Sequence, residues 1–295
     1  KDTRLTKHHF EDVMNLDRVI ENSVKFDVKS KRHYHACTRG WILSGIIRRA
    51  DSQSRTLGQF MNEEICTPLN LNIFCGMSPS LQKQYEFASI QDMTPSYLMS
   101  HLIAPALVGL GDPTIRAAVD GLKSNFDMIS RHNVAYFTST TTAARMVSTE
   151  EVRAIEWPSG GMQGNAESIA KLNAVFANGG SLGGFRLLSE DAVAEALSEP
   201  RVEYDVLLNG NSCFTKGGFA QFSELKSKAV VSDFADVYGG FVGWCGLGGS
   251  VSLWHPEHKV AVAYAMNAKT MQLVAGPRSD RIFRAIQKVL KRIKA

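Results

Sequence analysis

Several features are missing from this 295-residue chain, and each absence excludes something. No apolar run approaches the roughly 18 residues that a membrane-crossing helix needs, so no membrane span is expected. The N-terminus, KDTRLTKHHFED, has no apolar signal-peptide core. It also lacks an initiating Met, and a processed or truncated chain is expected. The five cysteines (Cys37, Cys66, Cys75, Cys213 and Cys245) are odd in number, scattered, and without a CxxC pair. That argues against a zinc knuckle or a thioredoxin-type site. Buried, reduced thiols are expected instead, which favours an intracellular or organellar compartment without fixing it. Repeats and low-complexity linkers are absent. Charge imbalance is small, at +4. Residues 278–295 concentrate seven Lys/Arg against one Asp. No interleaved aromatics or RNA-binding signature accompanies them, so no nucleic-acid partner is expected. The expected reading is the solvated face of a terminal helix, with Ile282, Ile286, Val289 and Ile293 turned inward.

What is present fits a globular protein: 44% hydrophobic and 21% charged residues. The length allows one large domain or two intergrown subdomains. Trp41, Ile42, Ile46 and Ile47 recur at helical spacing over residues 38–50. Thr56-x-x-Gln59 reads as a capping box for a second helix, with Leu57, Phe60, Met61 and Ile65 as its stripe and Pro68 as its stop. Residues 72–135 read as a loop-rich insertion with short helices. Residues 136–163 read as an extended loop of the kind that lines a cleft. Asn165 caps a helix over 165–178 whose inner face is Ile169, Leu172, Val175 and Phe176, closed by Gly179-Gly180. Ser189 caps another, with Val193 inside. The last third changes period. Val251-Ser-Leu-Trp and the run from Lys259 to Met266 alternate in twos about His255-Pro-Glu-His258, which predicts an antiparallel hairpin. Ala261, Ala263 and Ala265 leave one face small enough for a helix to lie close, and the helix over 279–293 is the expected cover. Helices first and strands last predict an α+β fold.

Tyr34-His-Ala and the two helices after it resemble the Tyr-x-Asn region of the serine β-lactamase-related proteins. These include class C β-lactamases, DD-peptidases, β-lactamase-fold esterases and animal β-lactamase-like proteins. Gln163 to Gly180 and Gly183 to Val193 resemble the helices these proteins carry before their last strands. Gly243-Trp-Cys-Gly-Leu-Gly-Gly-Ser250, His255-Pro-Glu-His and Tyr264-Ala-Met-Asn267 resemble their final hairpin. Four motifs in order cover roughly residues 24 to 292. The resemblance implies a β-lactamase/DD-peptidase-like fold: an antiparallel sheet flanked by helices, plus a helical subdomain. It implies a single, partial domain over 1–295, with 38–135 mostly helical and 200–295 carrying the sheet and terminal helix.

The resemblance also implies a chemistry: a Ser-x-x-Lys nucleophile, a tyrosine that relays its proton, and a strand that donates an N–H to the oxyanion. By this carry-over Tyr34 is catalytic. Trp244, Cys245 and Gly246 stand in the Lys/His-Thr-Gly place, Leu247 supplies the oxyanion N–H, and His35 lines the site. Three departures matter. Ala36 replaces the Asn. Trp244 replaces the cationic or imidazole residue, which favours esterase or amidase chemistry over β-lactam hydrolysis. Residues 1–33 contain no Ser-x-x-Lys. Ser80–Lys83, Ser168–Lys171 and Ser223–Lys226 have that spacing but all follow Tyr34, and Lys216-Gly-Gly218 comes one strand too early. The expected function is thus an esterase- or amidase-type serine hydrolase represented by a C-terminal fragment. That fragment lacks the first strands and nucleophile helix and is inactive as given. The alternative is a pseudoenzyme that binds or assembles through its cleft or surface. A small ester or amide is the expected partner, with homo-oligomers possible. No cofactor or metal is expected. His8, His9, His33 and His35 lack convergent carboxylates, and His255 and His258 fall in a turn rather than on a helix.

Overall fold

The structure, a computed structural model, describes residues 12–22, 32–35, 38–91, 149–205, 210–223, 234–246, 249–268 and 276–293. They divide into two compact units.

The first unit holds residues 12–22, 34–35, 38–91 and 149–164 among those described. Helix α1 (Val13–Glu21) starts at Asp12, whose carboxylate accepts the N–H groups of Met14 and Asn15 at 2.9 and 3.1 Å. Helix α2 (Arg39–Ala50) lies against it. Its inward face matches the predicted one only at Trp41 and, half-buried, at Ile47. Trp41, Gly45 and Arg48 are buried, whereas Ile42, Leu43 and Ile46 are exposed. A buried ion pair sets this rotation: Arg48 meets Asp17 of α1, and Arg49 adds a second contact to Asp17 at 2.9 Å. Leaving either charge buried alone would be costly, so the pair fixes the facing sides. Charges 31 residues apart give no periodic signal.

The capping box is present: the Thr56 hydroxyl accepts from Gln59 N, and the Gln59 side chain accepts from Thr56 N at 3.0 Å. Helix α3 (Leu57–Met61) widens into a π-turn (Asn62–Cys66) before α4 (Thr67–Leu69). Pro68 lies inside α4 rather than ending the helix. The π-turn just ahead of it accommodates a residue with no N–H, and the stop comes at Asn70, with φ of 50°. Strand β1 (Ile73–Phe74) pairs with β2 (Gln163–Gly164). Helix α5 (Pro79–Gln82) starts at Ser78. Part of the expected loop over 136–163 is helix α6 (Glu150–Ala154), capped by Thr149. Trp157 is core: it stacks on Trp41 at 6.0 Å, and Trp41 Nε1 donates to Glu156 O at 2.9 Å.

The second unit contains helix α7 (Ala166–Ala177), hairpin β3 (Ser181–Leu182) and β4 (Phe185–Arg186), and helix α8 (Glu190–Leu197). The caps are those the sequence predicts: Asn165 accepts from Ser168 N at 2.8 Å and Ser189 from Ala192 N at 3.1 Å. A six-stranded antiparallel sheet follows: β5 (Arg201–Asp205), β6 (Gly210–Phe214), β7 (Ala220–Gln221), β8 (Val242–Cys245), β9 (Val251–His255) and β10 (Val260–Tyr264). Each strand pairs with its sequence neighbour, in the order β10-β9-β8-β7-β6-β5. Helices α9 (Phe234–Tyr238) and α10 (Pro277–Ile293) complete the unit.

The predicted hairpin is β9–β10, but its two faces are covered the other way round. The alanine face receives α7: Ala261 packs with Phe176, Trp254 and Val242. The terminal helix covers the opposite face, where Phe283 and Leu290 join Val251, Leu253, Val260, Val262 and Tyr264. Within α10 itself, Phe283 and Leu290 point inward, and Ile286 is partly buried. Ile282, Val289 and Ile293, expected inside, are 38%, 53% and 69% exposed. Asn173 explains why α7 takes the alanine face. It is buried, its Nδ2 lies 3.4 and 3.2 Å from Leu253 O and Val262 O, and its Oδ1 accepts from Ser252 Oγ at 3.0 Å. The small alanines let the helix come near enough for those bonds.

Candidate functional site

The residues singled out by sequence fall in both units. Tyr34 and His35 belong to the first, just ahead of α2. Tyr34 is half-buried and His35 is exposed, with Nδ1 3.0 Å from Thr38 Oγ1. Ala36 and Leu247 lie outside the described residues.

Trp244, Cys245 and Gly246 belong to the second unit, at the end of β8. Strand β8 reaches this position because Gly243 lets it close on β9. With φ of 135°, a Cβ there would stand 2.2 Å from Ser252 O. Pleating then sends neighbouring side chains to opposite faces. Trp244 is half-buried, its ring 5.4 Å from that of Phe214. Cys245 is 1% exposed and sits in the core with Tyr238 and Phe283. Burial pushes its thiol well above the usual range, and the charge of Asp280 acts in the same direction. Cys245 can therefore meet a ligand only through its backbone, and it is no nucleophile. The Gly246 N–H is already spent on Ser250 O at 2.7 Å, closing the turn after the strand.

The serines with Ser-x-x-Lys spacing are placed as structural residues. Ser80 lies on the four-residue α5, its Oγ 3.0 Å from Ser78 Oγ. Ser168 is buried in the first turn of α7. Ser223 Oγ accepts the Gly240 N–H at 3.0 Å, and Lys226 lies outside the described residues. Lys216 stands in the β6–β7 turn, exposed and paired with Glu195 at 2.8 Å.

The four described cysteines, Cys66, Cys75, Cys213 and Cys245, are free and buried, as expected. Burial raises the Cys75 thiol to about 12. Sequence reasoning missed a buried phenol in the same core cluster as Cys213 and Cys245. The Tyr238 hydroxyl donates to Asp280 at 2.5 Å and lies 3.2 Å from Ser279 Oγ. Burial first, and the bond to Asp280 second, keep that phenol protonated. The two partners are 42 residues apart, and only the first turn of α10 brings them together. Among the described residues, one group of three has metal-ligand chemistry: His255, Glu257 and His258, in the β9–β10 turn. No helix among the described residues is long and apolar enough to cross a membrane.

Comparison with known proteins identifies the scaffold. A family VIII carboxylesterase superposes with a TM-score of 0.69 at 23% identity, over 97% of this chain and 66% of that one. A penicillin-binding protein homolog from Caulobacter crescentus gives 0.65 at 23% identity, over 98% of this chain and 66% of that one. EstA from Arthrobacter nitroguajacolicus Rue61a gives 0.65 at 18%, over 99% and 69%. This chain thus spans about two thirds of the length of each. No curated protein matches it significantly. The family model described as Beta-lactamase matches residues 15–285, nearly the whole chain, and with the α+β architecture in agreement this chain belongs to the β-lactamase family.

Proposed function

We propose that this chain serves small ester or amide substrates, of the esterase rather than the β-lactam-hydrolysing type, with β8 as the substrate strand. The observation that carries the reading is Trp244. A half-buried indole packed beside Phe214 occupies the strand position where a β-lactam carboxylate would need a cation or an imidazole. Such a surface suits an apolar acyl or alkyl group. Tyr34 is the proton relay and His35 a neighbouring contact. The oxyanion donor that the family resemblance implies is the N–H of Leu247. The carboxylesterase among the similar structures supports the ester reading.

Covalent chemistry needs a nucleophile, and residues 1–33 hold no Ser-x-x-Lys. The three serines with that spacing downstream are buried, held by a backbone N–H, or set on a one-turn helix. Residues 1–295 are therefore expected to form no acyl-enzyme. Intact-mass spectrometry after exposure to p-nitrophenyl butyrate, or to a serine-directed phosphonate, should show an unmodified chain with no burst of nitrophenol. A stoichiometric adduct on Ser80, Ser168 or Ser223 would refute this. A second reading, a binding protein without turnover, is favoured by the same missing motif. Saturable ligand binding with no hydrolysis in protein isolated from its natural source would select it.

A further inference from the structure

We propose that His255, Glu257 and His258 form a site for a divalent transition ion, Zn²⁺ in the first instance, that staples the β9–β10 turn. Three observations build the site. The first is a fixed ligand. His255 ends β9, a strand paired on both sides, and the residue is only 6% exposed. Gly240, at φ of 82°, lies so close that a Cβ there would be 2.2 Å from Nε2, and Phe241 stands edge-on at 5.1 Å. The ring is held on both counts, with Nδ1 on the turn side, 3.3 Å from the His258 N–H. That is a long hydrogen bond, weak enough for a metal to replace.

The second observation is convergence. The β9–β10 register pairs Val260 with His255, and Lys259 at φ of 52° completes the reversal. The four residues of the turn are thereby folded back on themselves. One ligand atom from each of His255, Glu257 and His258 lies within 4.8 Å of the other two, and the two imidazole ring centroids are 4.5 Å apart. Bonds of about 2.0–2.2 Å to a common ion require these atoms to draw closer still. Glu257 is exposed and His258 half-buried, so their side chains can make that movement while His255 stays in place.

The third observation is the donor set. Two imidazoles and a carboxylate suit Zn²⁺, and Ni²⁺ or Cu²⁺ by the same logic, whereas Ca²⁺ and Mg²⁺ want oxygens alone. Three protein ligands leave one position for water. An ion that binds the folded turn and not the unfolded chain stabilises the fold by mass action.

The test uses the tag-free, chelator-stripped chain, with Zn²⁺ titrated against a chromophoric chelator and Co²⁺ followed by its visible absorption. We expect one ion per chain, a rise in Tm with added Zn²⁺, and a tetrahedral Co²⁺ spectrum. His258→Ala should weaken binding by at least about tenfold, and Glu257→Gln should weaken it less. Both positions are on the turn surface, so the variants should keep the metal-free Tm. A double change of His8 and His9 to Ala should leave binding intact. No Tm rise with no Co²⁺ band would overturn the proposal. So would unchanged affinity in His258→Ala, which would place any bound ion at other histidines.

Discussion

Asn173 is a buried polar side chain that ties α7 to the β9–β10 hairpin, and replacing it should be costly out of proportion to its size. Its amide lies 3.4 and 3.2 Å from two strand carbonyls, and its oxygen accepts from Ser252 Oγ at 3.0 Å. Asn173→Leu keeps the volume but removes all three contacts. Each net hydrogen bond contributes about 1 kcal/mol, and the two to carbonyls are long, so a loss of about 2–3 kcal/mol is expected. For a chain of this size that corresponds to a fall in Tm of roughly 4–10 °C. Ser252→Ala removes one of the three and should cost about 1 kcal/mol. The two changes share a bond, so their effects should be less than additive in a double-mutant cycle read by urea denaturation. An Asn173→Leu variant as stable as the parent would refute the clamp. Strict additivity would show that Ser252 and Asn173 do not act together.

Two further outcomes follow from backbone and charge. Gly243→Ala forces a Cβ to within 2.2 Å of Ser252 O at φ of 135°. It should destabilise the protein by on the order of 2–4 kcal/mol in thermal or urea melts, and an unchanged Tm would contradict the β8–β9 approach. Asp51 accepts two bonds from the Arg55 guanidinium, at 3.0 and 2.9 Å, and one from the Arg55 backbone N–H at 2.9 Å, and these hold its carboxyl at about 2 against an ordinary 3.8. Because the folded value is the lower one, the stability this pair gives is complete above pH 3.8 and is lost as pH falls towards 2. Denaturation at pH 5 and at pH 2.5 should therefore show Asp51→Asn losing less on acidification than the parent does.

The sequence conveyed those parts of the fold that depend on local rules. The β9–β10 hairpin follows from alternation in twos, and α3, α7 and α8 begin where Thr56, Asn165 and Ser189 cap them. What it did not convey is orientation. Two apolar stripes lie side by side on α10, one with Phe283 and Leu290 and the other with Ile282, Val289 and Ile293. Period alone does not say which faces the sheet. The alanine face invited a close helix, but only Asn173, reaching three partners on the strands, identifies that helix as α7. On α2 a buried Asp17–Arg48 pair turned isoleucines outward. The candidate site was partly legible. Its motifs named Trp244, Cys245 and Gly246, and the pleat then separates a half-exposed indole from a thiol sunk in the core. The His255, Glu257 and His258 group was readable as a string, but its convergence depends on the turn geometry.

The most direct test of the esterase-type reading is ligand binding by the intact 295-residue chain. Butyranilide, an amide with a short apolar acyl group, should bind saturably in isothermal titration. Trp244→Ala should weaken that binding by about tenfold, as expected for the loss of a buried aromatic contact. Tyr34→Phe, which removes only a hydroxyl, should weaken it less, and both variants should melt within a few degrees of the parent. Absence of saturable binding, or equal affinity in the parent and the Trp244→Ala variant, would contradict the assignment of β8 as the substrate strand.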